Sequence, residues 1–81
     1  MMRLDKYLKV TRLIKRRTVA NEACDAGRVT VNDKIARASY DVKVGDIITI
    51  SMGARPITVK VLGVTEFVKK EDAAQYYEVI G

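Results

Sequence analysis

The sequence predicts an α+β fold in which two short N-terminal helices precede a small, mostly antiparallel sheet. Up to Gly27 the apolar residues recur three or four positions apart, which is the spacing of a helix face. After Gly27 apolar and polar residues alternate, which is the period of a half-buried strand. Short β-branched runs then follow one another with turn residues between them, so we expect hairpin connections in the second half.

The first predicted helix covers residues 3–10. Leu4 and Leu8 stand four positions apart and give this segment a narrow apolar stripe, while its basic residues point in other directions. Leu13 and Ile14 then form an apolar pair between charged neighbours. We interpret this pair as a buried anchor in the connection to the next helix.

The second predicted helix covers residues 17–26 and is strongly amphipathic. A helical wheel places Val19, Ala20, Ala23, Cys24 and Ala26 in one half and Arg17, Thr18, Asn21, Glu22 and Asp25 in the other. Thr18 is the natural N-cap hydroxyl of this segment. Gly27 adopts a left-handed conformation at little cost, so the helix should end there.

The rest of the chain predicts strands, turns and one short helix. We expect strands at residues 28–32, 34–36, 47–51, 57–62 and 77–80. Asn32-Asp33 and Val44-Gly45-Asp46 are turn signals. Glu71 and Asp72 suit the N-terminal dipole of a short late helix.

We expect one domain spanning residues 1–81, because a chain of 81 residues buries only one modest core. Its core motif should cover about residues 3–51, with further strands and the short helix in residues 52–81. Such a size favours a binding module over an enzyme with a deep pocket. The absence of histidine removes the usual proton shuttle and the commonest metal ligand. No catalytic residue, metal site or cofactor is predicted.

The cysteine content and the hydropathy of the chain indicate the cellular compartment of the protein. The single cysteine, Cys24, cannot form an intramolecular disulfide, and the start of the chain is Arg-rich, so we expect a cytoplasmic protein. No apolar run approaches the roughly twenty residues of a membrane span, and no membrane partner is predicted. Cys24 lies on the apolar half of the second predicted helix, where we expect a core thiol and not a nucleophile.

Positive charge is concentrated in the N-terminal half. Residues 1–37 carry ten basic and four acidic side chains, whereas residues 38–81 carry five basic and six acidic ones. A polyanion, nucleic acid above all, is therefore the expected partner, and a solvated charged face is the alternative. Tyr7 is the one aromatic residue of the basic region that could stack on a base, so phosphate contacts should dominate.

The candidate phosphate-binding residues are Arg3, Lys6, Lys9, Arg12, Lys15, Arg16, Arg17, Arg28, Lys34 and Arg37. Arg17 is the strongest candidate, because a guanidinium group and the free N–H groups at a helix start can bind phosphate together. Arg3 has a similar place at the start of the first helix. We interpret Asp5, Glu22 and Asp25 as ordinary intrahelical partners of these cations.

Three segments carry a resemblance to a known family: residues 3–8 (RLDKYL), 16–20 (RRTVA) and 27–32 (GRVTVN). In order and spacing they resemble the RNA-binding domain first named from small-subunit ribosomal protein S-four, over about residues 3–51. This resemblance implies an αL-type RNA-binding fold, with two helices packed against a small sheet. It implies that the helical pair and the first hairpin, including Asn32, contact RNA. Asp33 stands where glycine is common in that family.

Residues 70–77 (KEDAAQYY) give a closer resemblance to the bacterial ribosome-associated quality-control factors of that family. It implies binding to large-subunit rRNA and to peptidyl-tRNA on stalled large ribosomal subunits. It also implies RqcH as a partner, which adds alanine tails to unfinished nascent chains. We expect a monomer without bond chemistry of its own.

Three other classes remain as alternatives. A heat-shock-type protein that binds the large subunit and recycles stalled subunits shares the same RNA-binding domain and usually carries a longer basic C-terminal extension. A helix-turn-helix DNA regulator would need a third helix beside the N-terminal pair and a dimerisation helix, and the sequence predicts neither. The detached RNA-targeting domain of an enzyme would need an active site elsewhere.

Overall fold

The computed structural model describes residues 2–81, which form two helices, a five-stranded antiparallel sheet and one 3-10 helix. The helices are α1 (Leu4–Val10) and α2 (Arg17–Asp25), and the 3-10 helix covers Lys70–Gln75. The strands are β1 (Val29–Val31), β2 (Lys34–Ile35), β3 (Ile47–Ile50), β4 (Ile57–Val61) and β5 (Tyr77–Val79). Their order in the sheet is β2-β1-β3-β4-β5, and every neighbouring pair is antiparallel. The predicted α+β class is confirmed.

The core lies where alternate residues of the central strands meet the apolar sides of both helices. Val31 pairs with Ile48, and Ile48 pairs with Val59, so these side chains share one face of the sheet and all three are buried. Val29, Ile50 and Val61 follow the same alternation. Leu4 and Leu8 of α1 and Ala20, Ala23 and Cys24 of α2 complete this cluster. The period of two in the sequence therefore predicted the buried face correctly.

Two details of the prediction for α2 are wrong. Thr18 is not the N-cap: Arg16 holds that position in an extended conformation, and no side chain caps the helix. Ala26 is the C-cap and is exposed, because the helix ends before its side chain can reach the core. Gly27 has a φ of +74°, as the predicted left-handed ending requires.

The first hairpin turns through two residues in the left-handed region. Asn32 has a φ of +53° and Asp33 a φ of +68°, which is the backbone of a two-residue type I′ turn. Asp33 accepts this conformation at some cost, where glycine would adopt it freely. The Asn32 amide donates to Oδ1 of Asp46 at 3.1 Å and accepts the N–H of Ile47 at 3.0 Å. The turn is therefore fastened to the start of β3.

Long-range hydrogen bonds place the start of α1 against the chain that follows the hairpin. The N–H of Leu4 donates to the carbonyl of Tyr40 at 2.8 Å, and the N–H of Asp5 donates to that of Ala38 at 3.2 Å. Arg3 and Asp41 form an isolated antiparallel bridge. Between the helices, Ile14 is buried and Leu13 is half-buried, so the predicted anchor is confirmed.

Across residues 2–81, neither helix has the length and apolar character needed to cross a membrane.

Candidate nucleic-acid interface

A buried carboxylate organises the junction of α1 and α2. Asp5 is 2% exposed, and its Oδ1 accepts from Nε of Arg3 at 3.2 Å and from the N–H of Lys6 at 2.8 Å. Its Oδ2 accepts from Nη2 of Arg3 at 3.4 Å, from Nε of Arg17 at 3.4 Å and from Nδ2 of Asn21 at 3.3 Å. One carboxylate thus holds two guanidinium groups that come from different parts of the fold.

This geometry corrects the interpretation of Asp5 as an intrahelical partner. Arg3 precedes α1, and Arg17 and Asn21 lie on α2, so four of the five donor groups come from outside the helix that carries the carboxylate. Arg17, the strongest candidate for phosphate binding, is paired with Asp5 across the two helices. The physical reason is helix packing: α1 and α2 meet along the side of α1 that carries Asp5, and burial requires the carboxylate to be hydrogen-bonded.

The pKa of Asp5 is lowered from its ordinary value of 3.8. Burial acts to raise this pKa, but hydrogen bonds from Arg3, Asn21 and the Lys6 N–H, together with the charge of Arg17, outweigh burial. Asp5 is therefore a carboxylate at neutral pH. The two guanidinium groups outnumber the one buried carboxylate that they share, and the exposed Glu22 of α2 lies nearby.

The guanidinium pair opens onto a shallow groove between the helices, which we call the Arg groove. It has a volume of about 420 Å³, and its lining residues are Arg3, Asp5, Arg17, Thr18, Asn21 and Glu22. The Arg3 and Arg17 side chains are 45% and 49% exposed, so each keeps N–H groups available to a ligand while Asp5 fixes the other side. The uncapped start of α2 lies at Arg16 and Arg17, beside this groove.

A second basic groove lies at the other end of α1 and has a volume of about 530 Å³. Its lining residues are Lys9, Val10, Arg12, Lys15, Glu66, Val68 and Lys70. Lys70 was not among the predicted candidates, because only the fold brings it beside residues 9–15. Lys6 forms an ion pair with Glu66 at 3.4 Å, so part of its charge is already balanced.

A third groove, which we call the hairpin groove, has a volume of about 630 Å³. Its lining residues are Val31, Asn32, Lys34, Ile35, Ala36, Arg37, Ser39 and Tyr40. The Tyr40 hydroxyl donates to Oδ2 of Asp46 at 3.0 Å. The N–H of Leu4, which follows Arg3 in the chain, donates to the carbonyl of Tyr40, so Arg3 and Tyr40 are close in the fold. Tyr40 was missed in the sequence because it lies just beyond the basic region.

The remaining candidates differ in their placement. Arg28 lies apart from the three grooves, beside Met52 and the outer side of α2. Arg16 is exposed at the N-cap of α2. Asn32 uses its amide on Asp46 and Ile47, which gives it a structural role, and its contact with RNA stays a prediction. The other candidate cations are exposed, except that Lys6 is half-buried.

Tyr7 and Cys24 are both core residues. Tyr7 is 1% exposed and donates its hydroxyl to the carbonyl of Tyr76 at 2.6 Å, so the expectation that it could stack on a base is wrong. Leu4 and Leu8 face the core on the same side of α1, which explains why the ring is covered. Burial raises the pKa of the Cys24 thiol to about 11, and the expected core thiol is confirmed.

Comparison with known proteins decides the family. Residues 2–48 match the S4 domain. A protein of Streptococcus pneumoniae named RQC P-site tRNA stabilizing factor is 56% identical over 79 residues, which cover 98% of this chain and 90% of that protein. The chain belongs to the family of RQC P-site tRNA stabilizing factors, which carry an S4 domain. A factor of the same name from Halalkalibacterium halodurans is 54% identical over 78 residues, covering 96% of this chain and 89% of that protein.

Solved structures agree with the S4-type fold of these tRNA stabilizing factors. The structure of heat shock protein 15 from Vibrio cholerae, described as trimeric, superposes with a TM-score of 0.91 at 29% identity. The match covers 98% of this chain and 81% of that one. The implied αL-type arrangement, with two helices on a small antiparallel sheet, is thereby confirmed.

We expect Asp5→Asn to destabilise the protein by about 1–3 kcal/mol at neutral pH, because the amide cannot accept all the donors that face the carboxylate. The pKa of Asp5 is lower in the folded protein than in the unfolded protein. The stabilisation that its carboxylate provides is therefore complete above the ordinary pKa of 3.8, and it is lost as the pH falls through the lower pKa of the folded state. Urea unfolding from pH 2 to pH 7 measures both effects. The exposed Asp25→Asn is the control and should change stability by less than about 0.5 kcal/mol. If Asp5→Asn lowers the free energy of unfolding by the same amount at every pH in this range, the role given to the carboxylate is wrong.

Proposed function

We propose that this protein is an RNA-binding factor of ribosome-associated quality control. It binds large-subunit rRNA and peptidyl-tRNA on stalled large ribosomal subunits, and it supports the RqcH-dependent alanine tailing of unfinished nascent chains. It acts in the cytoplasm as a monomer, with residues 1–81 as one RNA-binding domain. Its contribution is binding, without bond chemistry or a cofactor.

The observation that carries this proposal is the pair of guanidinium groups held by Asp5. Arginine presents a planar fork of donors that matches a phosphate, and a fork already fixed by a buried carboxylate loses less conformational entropy on binding. Arg3 and Arg17 have this fixed geometry and remain about half exposed. The uncapped start of α2 adds backbone N–H groups and a positive dipole end at the same groove.

The remaining basic surface supports contact with more than one stretch of RNA backbone. Lys9, Arg12 and Lys15 line the groove at the far end of α1, whereas Lys34 and Arg37 line the hairpin groove. The family relatives are named for stabilising P-site tRNA in ribosome-associated quality control, which supports tRNA as one of the ligands. We assign the Arg groove to rRNA phosphates and the neighbouring cations to rRNA or tRNA.

Salt dependence tests whether binding is governed by phosphate contacts. If three to five phosphates are neutralised, the logarithm of the affinity for a structured RNA should fall with the logarithm of salt concentration at a slope of about −3 to −5. Fluorescence anisotropy from low to physiological ionic strength measures this slope. Lys60→Ala, on β4 and outside the three grooves, should leave it unchanged. Affinity that does not respond to salt would refute the proposal.

A heat-shock-type large-subunit binder is the second candidate function. It is favoured by the TM-score of 0.91 with the Vibrio cholerae heat shock protein, whose fold this chain shares. Sequence identity favours the first candidate, since it is 29% to that protein and 56% to the Streptococcus pneumoniae factor. Measuring alanine tails on stalled nascent chains in cells distinguishes the two functions, because only the first function requires them.

A further inference from the structure

We propose that the hairpin groove binds one unpaired nucleotide of the RNA, with the base against Ile35 and Tyr40 and the adjoining phosphates on Lys34 and Arg37. This inference rests on the proposed RNA-binding function and adds to it the kind of RNA element that is recognised. From the sequence, Lys34 and Arg37 are expected to extend the phosphate-binding surface, and no contact with a base is assigned to Ile35 or Tyr40.

The apolar part of the groove is an isoleucine held in place at the sheet edge. Ile35 lies on the edge strand β2 and is 71% exposed. Its side chain lies over Gly27, where an added Cβ would be 3.7 Å from Cδ1 of Ile35. One side of Ile35 therefore faces Gly27, and the rest of its side chain is open to an apolar ligand. Tyr40, half-buried in the same groove, offers part of its ring.

The polar groups of the groove walls are already used within the protein. The Tyr40 hydroxyl donates to Asp46, and the Asn32 amide bonds to Asp46 and Ile47. These bonds fix the walls and leave the apolar surfaces of Ile35 and Tyr40 to a flat ligand. The hydroxyl of Ser39, exposed at the rim, adds a polar group within reach of a base edge or a ribose.

The positive charges at the rim of the hairpin groove favour a nucleotide as its ligand. Lys34 and Arg37 are exposed, and no carboxylate is among the residues that line the groove. A nucleotide presents an apolar base between two phosphates, which matches an apolar centre between two cations. A base within a duplex is stacked and paired, so only an unpaired base could lie against Ile35. The hydrogen bond from Leu4 to Tyr40 keeps Tyr40 close to Arg3 of the Arg groove.

The test compares two RNA hairpins that differ by one bulged uridine. We expect the wild type to bind the bulged hairpin about five- to tenfold more tightly than the fully paired one, in anisotropy titrations at fixed salt. Ile35→Ser should reduce this ratio to about one. Val44→Ser is the matched control, because Val44 is 66% exposed and lies outside the groove, and it should keep the wild-type ratio.

The outcomes also separate this inference from the proposed function. The nucleotide site is wrong if the wild type binds both hairpins equally well, or if Ile35→Ser keeps the wild-type preference for the bulged hairpin. In either case, salt-dependent binding of the paired hairpin would still support the proposed function. If neither hairpin binds, the proposed function itself fails. A shift of the Ile35 methyl NMR signal with the bulged hairpin supports the site, whereas a shift caused only by ribosomal proteins would assign the groove to a protein and overturn it.

Discussion

Ala23→Asp is expected to destabilise the protein by about 3–5 kcal/mol, because it places an unpaired carboxylate in the core. Ala23 is 4% exposed on α2 and belongs to the same buried cluster as Ala20 and Cys24. A loss of this size approaches the whole stability of a small domain, so the variant should be largely unfolded at 37 °C. Circular dichroism during urea unfolding measures the change.

Ala26→Asp is the matched control for that variant. The helical wheel puts Ala23 and Ala26 in the same apolar half, but the structure exposes Ala26 at the C-cap. An acid there meets only the unfavourable end of the helix dipole, so the loss should stay below about 1 kcal/mol. Equal losses from the two variants, or a native Ala23→Asp protein, would contradict the packing of α2.

The double variant Arg3→Ala, Arg17→Ala should lower RNA affinity about 30- to 1,000-fold at physiological salt. It removes two charge-assisted contacts to phosphate, each of which contributes about 1–2 kcal/mol, and it should reduce the magnitude of the salt slope by about two. Arg55→Ala, Lys60→Ala removes the same charge outside the three grooves and should have little effect. A double variant that binds as tightly as the wild type would refute the role of the Arg groove.

Stability has to be separated from binding in this experiment. Removing both guanidinium groups leaves the buried Asp5 carboxylate with only Asn21 and the Lys6 N–H as donors. Adding Asp5→Asn to the double variant removes the uncompensated charge and should recover part of the lost stability. RNA binding should stay weak in this triple variant. Recovery of affinity together with stability would show that the arginines act on the fold alone.

Local periodicity explains why most of the fold could be predicted. The spacing of Leu4 and Leu8, and the alternation that buries Val29 and Val31, are properties of neighbouring residues, and the structure confirms both. Gly27 was recognisable as a helix ending, because a left-handed backbone is cheap for glycine alone. The errors at Thr18 and Ala26 lie at the ends of α2, where one residue changes which side chain reaches the core.

Only part of the site could be predicted, because the sequence shows its cations but does not show which distant residues they contact. The sequence indicated Arg3 and Arg17, but the carboxylate that holds Arg17 is 12 residues away and belongs to another helix. The sequence indicated that Tyr7 could stack on a base, whereas in the fold its hydroxyl donates to the carbonyl of Tyr76, 69 residues away. Lys70 joins the groove of Lys9 and Arg12 for the same reason. Contacts of this kind depend on tertiary packing, which no local pattern reports.

Alanine tails on stalled nascent chains give the most direct test of the central claim. In a strain that lacks this protein and any paralogue, we expect most tails to be lost and to return when the wild-type sequence is expressed. The variant Arg3→Ala, Arg17→Ala, expressed at the same level, should not restore them, because the factor would no longer hold RNA on the stalled subunit. Tails of normal length and abundance in the deletion strain would contradict the proposed role in quality control.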